Sequence, residues 1–154
     1  MQHSNVSLSQ KVATTALASI ASLWLASCSD GTVDCEIDPV FTQSQGAEIQ
    51  RAADAWNTLS VRPITFSSVN HGDWLILPAS VTQNYLGYTE PRRRLIRINP
   101  VTPDNQVYAV ALHELGHALG LGHIEQGVMD PKHQTMAFSD EDLAECRRVK
   151  ACAE

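Results

Sequence analysis

The residues from Ala111 to His123, ALHELGHALGLGH, carry the densest chemistry in this sequence. His113 and His117 stand four residues apart. A helix turns about 400° over that interval, so both imidazoles project from one side, within reach of one ion. Glu114 lies next to His113 and can reach a water on that ion without being a ligand. Gly120 permits a sharp change of direction, because glycine tolerates backbone angles that other residues resist. The turn brings in His123 as a third nitrogen donor. Three protein ligands leave a fourth position for water, which is the arrangement of a catalytic zinc rather than a structural one. Zinc lowers the pKa of a bound water and polarises a carbonyl oxygen. Glu114 would take the water's proton and pass it to a leaving amine. At this chain's own composition the five positions coincide by chance at a rate of roughly 2 in 100,000. That disfavours the bland alternative, an accidental patch on a helix surface.

Several elements must hold these residues in place. Thr102-Pro103 opens the metal-bearing helix in sequence terms: a hydroxyl for the N-cap, Pro at the first helical position and Asp104 in the first turn. That helix should run to about Leu119 and stop at Gly120. Upstream, Gln43 to Leu59 has amphipathic spacing, with Ala47, Ile49, Ala52, Ala53, Trp56 and Leu59 crowding one side. Strands are expected at Cys35 to Phe41, Pro63 to Ser68, Trp74 to Leu77, Tyr85 to Thr89 and Leu95 to Asn99. The last two would be joined by a turn at Pro91 and the arginines 92–94, which read as a solvated turn rather than an anion site. A final helix starts at Ser139, with Asp142 as capping-box partner. Strand, helix, four strands, helix, irregular loop and helix make an α+β layered domain.

His113 to His123 resembles the extended zinc signature of the metzincin peptidases, HExxHxxGxxH. Metzincins also carry a methionine turn beneath the metal, and Gly127-Val128-Met129-Asp130-Pro131 is similar to it, with Met129 as the structural methionine. The closest resemblance is to a matrixin catalytic domain. It implies a twisted mixed sheet of about five strands, two long helices, and a C-terminal helix. It also implies an extended peptide or protein substrate on the edge strand, here Tyr85 to Thr89. Leu112 and Val128 to Pro131 would line the pocket past the cleaved bond. Three features depart from the family. Ile124 follows the third His where matrixins have Ser. The interval from His123 to Met129 is short. No propeptide with a zinc-blocking cysteine is visible. His71-Gly72-Asp73 resembles part of a matrixin structural-zinc site but lacks partner histidines, so it reads as a turn. His133 reads as an exposed residue without a partner, and His3 as part of a removed signal.

The chain's ends add location. Its 154 residues suit one compact domain. Its net charge of −6 argues against a nucleic-acid partner, whose binder should be basic. Lys11 precedes an uncharged stretch from Val12 to Leu25, too short to span a bilayer but suited to a secretion signal. Leu25-Ala26-Ser27-Cys28 resembles the lipobox of bacterial lipoproteins, cut before a cysteine that is then acylated. An ordinary signal peptide or a buried helix are the alternatives. The expected organisation is a signal over 1–27, a lipidated Cys28 with tether over 28–34, and a catalytic domain over 35–154. Ser29, rather than Asp, after the cysteine favours the outer membrane by the same resemblance.

Export implies an oxidising compartment. If residues 146 to 152 stay helical, Cys146 and Cys152 lie about 9 Å apart, too far to bridge. Cys35 paired with one of them is then the expectation, and three reduced thiols the alternative. The sequence thus anticipates a membrane-anchored, monomeric zinc endopeptidase, its calcium requirement open. The alternatives are a binding or adhesion lipoprotein without turnover, against which Glu114 speaks, and a zinc scavenger, which would want histidine-rich tracts.

Overall fold

A computed structural model describes residues 31–68, 71–79, 86–132 and 135–153. The segment 12–25, Cys28, Ser29, Tyr85, His3 and His133 lie outside them. The chain is α+β, with a five-stranded mixed sheet and three α-helices among the described residues. The strands are β1 (Val33–Ile37), β2 (Ile64–Phe66), β3 (Trp74–Pro78), β4 (Gly87–Glu90) and β5 (Leu95–Ile98); the helices are α1 (Gln43–Asn57), α2 (Asp104–Leu119) and α3 (Asp140–Arg148). Sheet order is β2-β1-β3-β5-β4. All neighbours are parallel except β4, which runs antiparallel to β5 at one edge.

Alternation along the strands sends Val33, Cys35, Ile76, Ile96 and Ile98 into the core. Helix α1 packs over β2, α2 packs over β4 and β5, and the two helices pack on each other. Trp56 of α1 fixes their contact: it is fully buried, and its indole N–H donates to the Leu112 carbonyl at 2.8 Å. From Val107 to Leu119 every residue of α2 is buried except His117, which is half-buried. This explains the nearly continuous apolar sequence around the histidines.

Several boundaries and contacts differ from the sequence expectation. The sheet begins at Val33 rather than Cys35, because Val33 is fully buried opposite Ile64; Val33 and Asp34, expected in a tether, belong to β1. Arg62 also holds Gly31, its Nε donating to the Gly31 carbonyl at 2.9 Å. β1 in turn stops at Ile37, where Asp38 closes a turn by accepting from the Val40 and Phe41 amides. Helix α1 ends at Asn57, whose side-chain amide pairs with both backbone groups of Ile64. Its start carries a capping box between Thr42 and Gln45.

Thr102 does not cap α2. Pro103 takes the cap position, and the Thr102 hydroxyl is buried without a partner. The Thr102 amide donates to Asn99, and its carbonyl accepts from Gln45 Nε2, which draws the residue inward, away from the free amides of the first turn.

Cys146 and Cys152 form the disulfide, and Cys35 is free and buried. The expected separation assumed a continuous helix. Instead α3 ends at Arg148, and Lys150 adopts a left-handed φ of 60°. The chain folds back so that the amides of Ala151 and Cys152 both point at the Cys146 carbonyl. The Cα atoms come within 5.2 Å, inside the bridging range. Burial pushes the Cys35 thiol up to about 12. A thiol assay on residues 29–154 should therefore find no reactive thiol in native protein at neutral pH, one in denaturant without reductant, and three after reduction. Three reactive thiols before reduction would refute this pairing.

Candidate metal centre

The site grows from the end of α2. His113 and His117 sit one turn apart, and Gly120 ends the helix with φ of +100°. That turn is closed by the Gly120 amide on His117 and the Leu121 amide on Gly116, both at 3.0 Å. It also turns the Leu121 carbonyl toward His117, whose Nδ1–H donates to it at 2.9 Å. His113 Nδ1–H donates to the Val128 carbonyl at 2.7 Å. Each bond fixes the ring orientation and leaves the Nε2 lone pair bare for a metal.

His123 completes the group. Its loop is pinned on both sides: the Gly122 amide donates to Glu145 Oε1 on α3, and the Ile124 amide donates to the Met129 carbonyl. The three Nε2 atoms are 3.0 to 3.3 Å apart. Bare Nε2 atoms on His113 and His117 cannot hydrogen-bond to each other, so their 3.2 Å approach lacks a donor. A cation held between them would supply the missing attraction. Two nitrogens at ordinary Zn–N distances, in tetrahedral geometry, lie about 3.3 Å apart. The histidines thus fit a metal ion, and among the described residues they are the group so placed. Burial depresses His117 to about 4 and also lowers His113. Both rings are therefore neutral, the form that binds metal, at physiological pH.

Glu114, 4% exposed, points from the same helix. Burial pushes its carboxyl up to about 7, opposed by a hydrogen bond from Thr89 Oγ1 to Oε2 at 2.7 Å. Met129 is fully buried against α2: a Cβ on Gly116 would fall 2.4 Å from the Met129 sulfur. Gly116, between the two helical histidines, is thus glycine because methionine lies on it.

The turn bearing Met129 is held by Asp142, the third residue of α3, which has no exposed surface. Its carboxylate accepts from the amides of Val128, Met129 and Ser139 and from the Ser139 hydroxyl, at 2.8 to 3.0 Å. Gly127 has φ of +91°, and a Cβ there would meet Asp142 Oδ2 at 2.0 Å. Sequence reasoning found Asp142 only as a capping residue and missed its hold on the turn. It also missed Thr89, Gly116, and the carbonyls of Val128 and Leu121.

An open cleft of about 530 Å³ adjoins His123, lined by Ile124, Glu125, Asp130, Pro131 and Lys132. Of the segment Val128 to Pro131, expected as a pocket wall, Asp130 and Pro131 line this cleft, whereas Val128 and Met129 are buried. Leu112 does not line it either, since it is fully buried between the helices. His71 and Asp73 are exposed, Asp73 pairs with Arg94, and Gly72 packs on the Glu36 backbone. The arginines form an exposed 3-10 turn over Pro91–Arg93, with Arg94 left-handed. No helix among the described residues is long and apolar enough to cross a membrane. No family model matches the chain, and no curated protein matches it significantly.

The Asp142 contacts carry a prediction. Asp142→Ala leaves buried amides without an acceptor and frees the Val128 carbonyl that orients His113. Urea unfolding should show a loss of at least about 2–3 kcal/mol, and metal titration an affinity about 10–100-fold weaker. Unchanged metal affinity in a folded variant would show that the turn does not orient His113.

Proposed function

We propose that this chain is a zinc-dependent endopeptidase of the metzincin type, matrixin-like, held at a membrane by a lipid on Cys28. The observation that carries the reading is the meeting of three Nε2 atoms within 3.3 Å beside a buried glutamate from the same helix. His113, His117 and His123 would hold the zinc, and Met129 would support the two helical histidines from below. Bound zinc supplies Lewis acidity, acidifying a water and polarising a peptide carbonyl.

The protein's own groups do the rest. Glu114 accepts the water's proton and returns it to the amine of the departing half-substrate. In the metal-free protein burial raises this carboxyl above the ordinary range, which makes it a stronger base than an exposed glutamate. The peptide would lie extended along β4, whose outer edge carries no strand among the described residues, pairing through the main chain. The cleft beside His123 would receive a side chain next to the cleaved bond.

Purified protein should contain one zinc per chain, and chelation should abolish cleavage of a broad peptide pool. His117→Ala should lose the metal. Glu114→Gln should keep zinc and fold yet lose about 10²- to 10⁴-fold in single-turnover rate. The acid limb of its pH profile should vanish with the ionisable group. Equal rates at matched zinc occupancy would end the general-base assignment. No cleavage by wild type at all would favour a zinc-containing binding protein.

Anchoring is tested separately. Cys28→Ala should block acylation and move the protein from the detergent phase to the aqueous phase in phase partitioning. Partitioning that ignores the substitution would refute the lipid anchor and leave the peptidase reading intact.

A further inference from the structure

Strand β4 lies close against helix α2 at Gly87. A Cβ there would lie 2.8 Å from Val110 Cγ1 and 3.0 Å from Glu114 Cγ. Two residues on, and so on the same face of the strand, Thr89 reaches the helix with its hydroxyl. Oγ1 donates to Glu114 Oε2 at 2.7 Å and lies 3.0 Å from the Glu114 carbonyl oxygen. Among the described residues, no other side chain hydrogen-bonds to this carboxylate.

We infer that Thr89 is a positioning residue for Glu114: its hydroxyl holds Oε2 and leaves Oε1 to exchange the proton. The assignment rests on the peptidase reading. A glutamate side chain has a soft terminal torsion, and a carboxylate held at one oxygen keeps the other in a fixed direction. Oε2 stays an acceptor when Oε1 carries the proton, so the contact persists through the proton's transfer and return. Because Thr89 sits on the edge strand, the same backbone that would align a peptide also fixes the base. Strand and base therefore keep one geometry relative to each other.

The test uses full-length protein purified in detergent and loaded with zinc, with one peptide selected from a broad pool by wild type. Thr89→Val, nearly isosteric, should lower kcat about 10–100-fold, since a small misplacement of a catalytic group costs that much. KM and zinc content should stay near wild type, and Thr89→Ser should restore most of kcat. A second readout needs no turnover. In metal-free protein, the infrared difference between wild type and Glu114→Gln locates the Glu114 carboxylate stretch. Thr89→Val should shift that band, and Thr89→Ser should leave it in place. An unchanged kcat or an unmoved band in Thr89→Val overturns the inference while the peptidase reading stands. Failure of both Thr89→Val and Thr89→Ala to fold would make Thr89 structural and overturn it as well. Wild type that cleaves no peptide overturns the peptidase reading and this assignment with it.

Discussion

A fully buried carboxylate, that of Asp142, binds three separate parts of the chain into one site. Burying a charge without partners is prohibitive, so the surroundings must supply donors. They come from Ser139, whose hydroxyl accepts from the Asp142 amide in return, and from Val128 and Met129 in the neighbouring turn. Once those amides are fixed, the same two residues act through their other atoms. The Val128 carbonyl accepts from His113, the Met129 carbonyl accepts from Ile124 beside His123, and the Met129 sulfur lies on Gly116 between the helical histidines. Orientation thus passes from a carboxylate on α3 to ring nitrogens on α2 without a direct contact between the helices' site residues. Gly127 is required because Asp142 occupies the space where its side chain would be.

Helix α3 is too short to persist alone, at nine residues. Its two ends are both fastened. Ser139 and Asp142 close a capping box at the start, and the Cys146–Cys152 disulfide closes the fold-back after the end. A loop so small is worth only about 2 kcal/mol through chain entropy. Its position matters more than that figure. The fold-back delivers the Ala151 carbonyl to the Ser60 hydroxyl and the Val61 amide, tying the C-terminus to the chain just after α1. α3 is therefore braced against the helix that packs on α2, which keeps Asp142 in register with the turn it holds.

What could be read from the sequence follows from the range of each interaction. Helix periodicity, Gly120 and the His113–His117 spacing are local, and α2 with its histidine-bearing side was legible to within one or two residues. The α3 cap was legible for the same reason. Strand limits were less so, because Val33 joins the sheet through pairing with a residue 31 positions away. The cysteine pairing failed on a single backbone angle at Lys150, which no helical extrapolation contains. Thr102 failed as a cap because Gln45, on another helix, competes for its backbone. Asp142 and Thr89 were missed as site residues for a like reason. Their partners lie 13 to 25 residues away, and nothing in the intervening spacing marks them.

Strand β4 shows how that long-range information is nevertheless written in residue types. An edge strand over a helix normally stands off by the width of two side chains. Here Gly87 contributes none, so the strand descends until it meets Val110 and the Glu114 stem. At that separation a short side chain on the same face can span the gap, and Thr89 does so with a hydroxyl rather than a methyl. A longer residue at 89 would be forced off the helix, and any side chain at 87 would lift the strand away. The opposite face has other demands: Tyr88 and Glu90 face Arg97 on β5, through ring and ion-pair contacts. The tetrapeptide Gly-Tyr-Thr-Glu therefore alternates between two tasks. Its inner positions set the height and hydrogen bonding of the buried glutamate, and its outer positions fix the strand to the sheet.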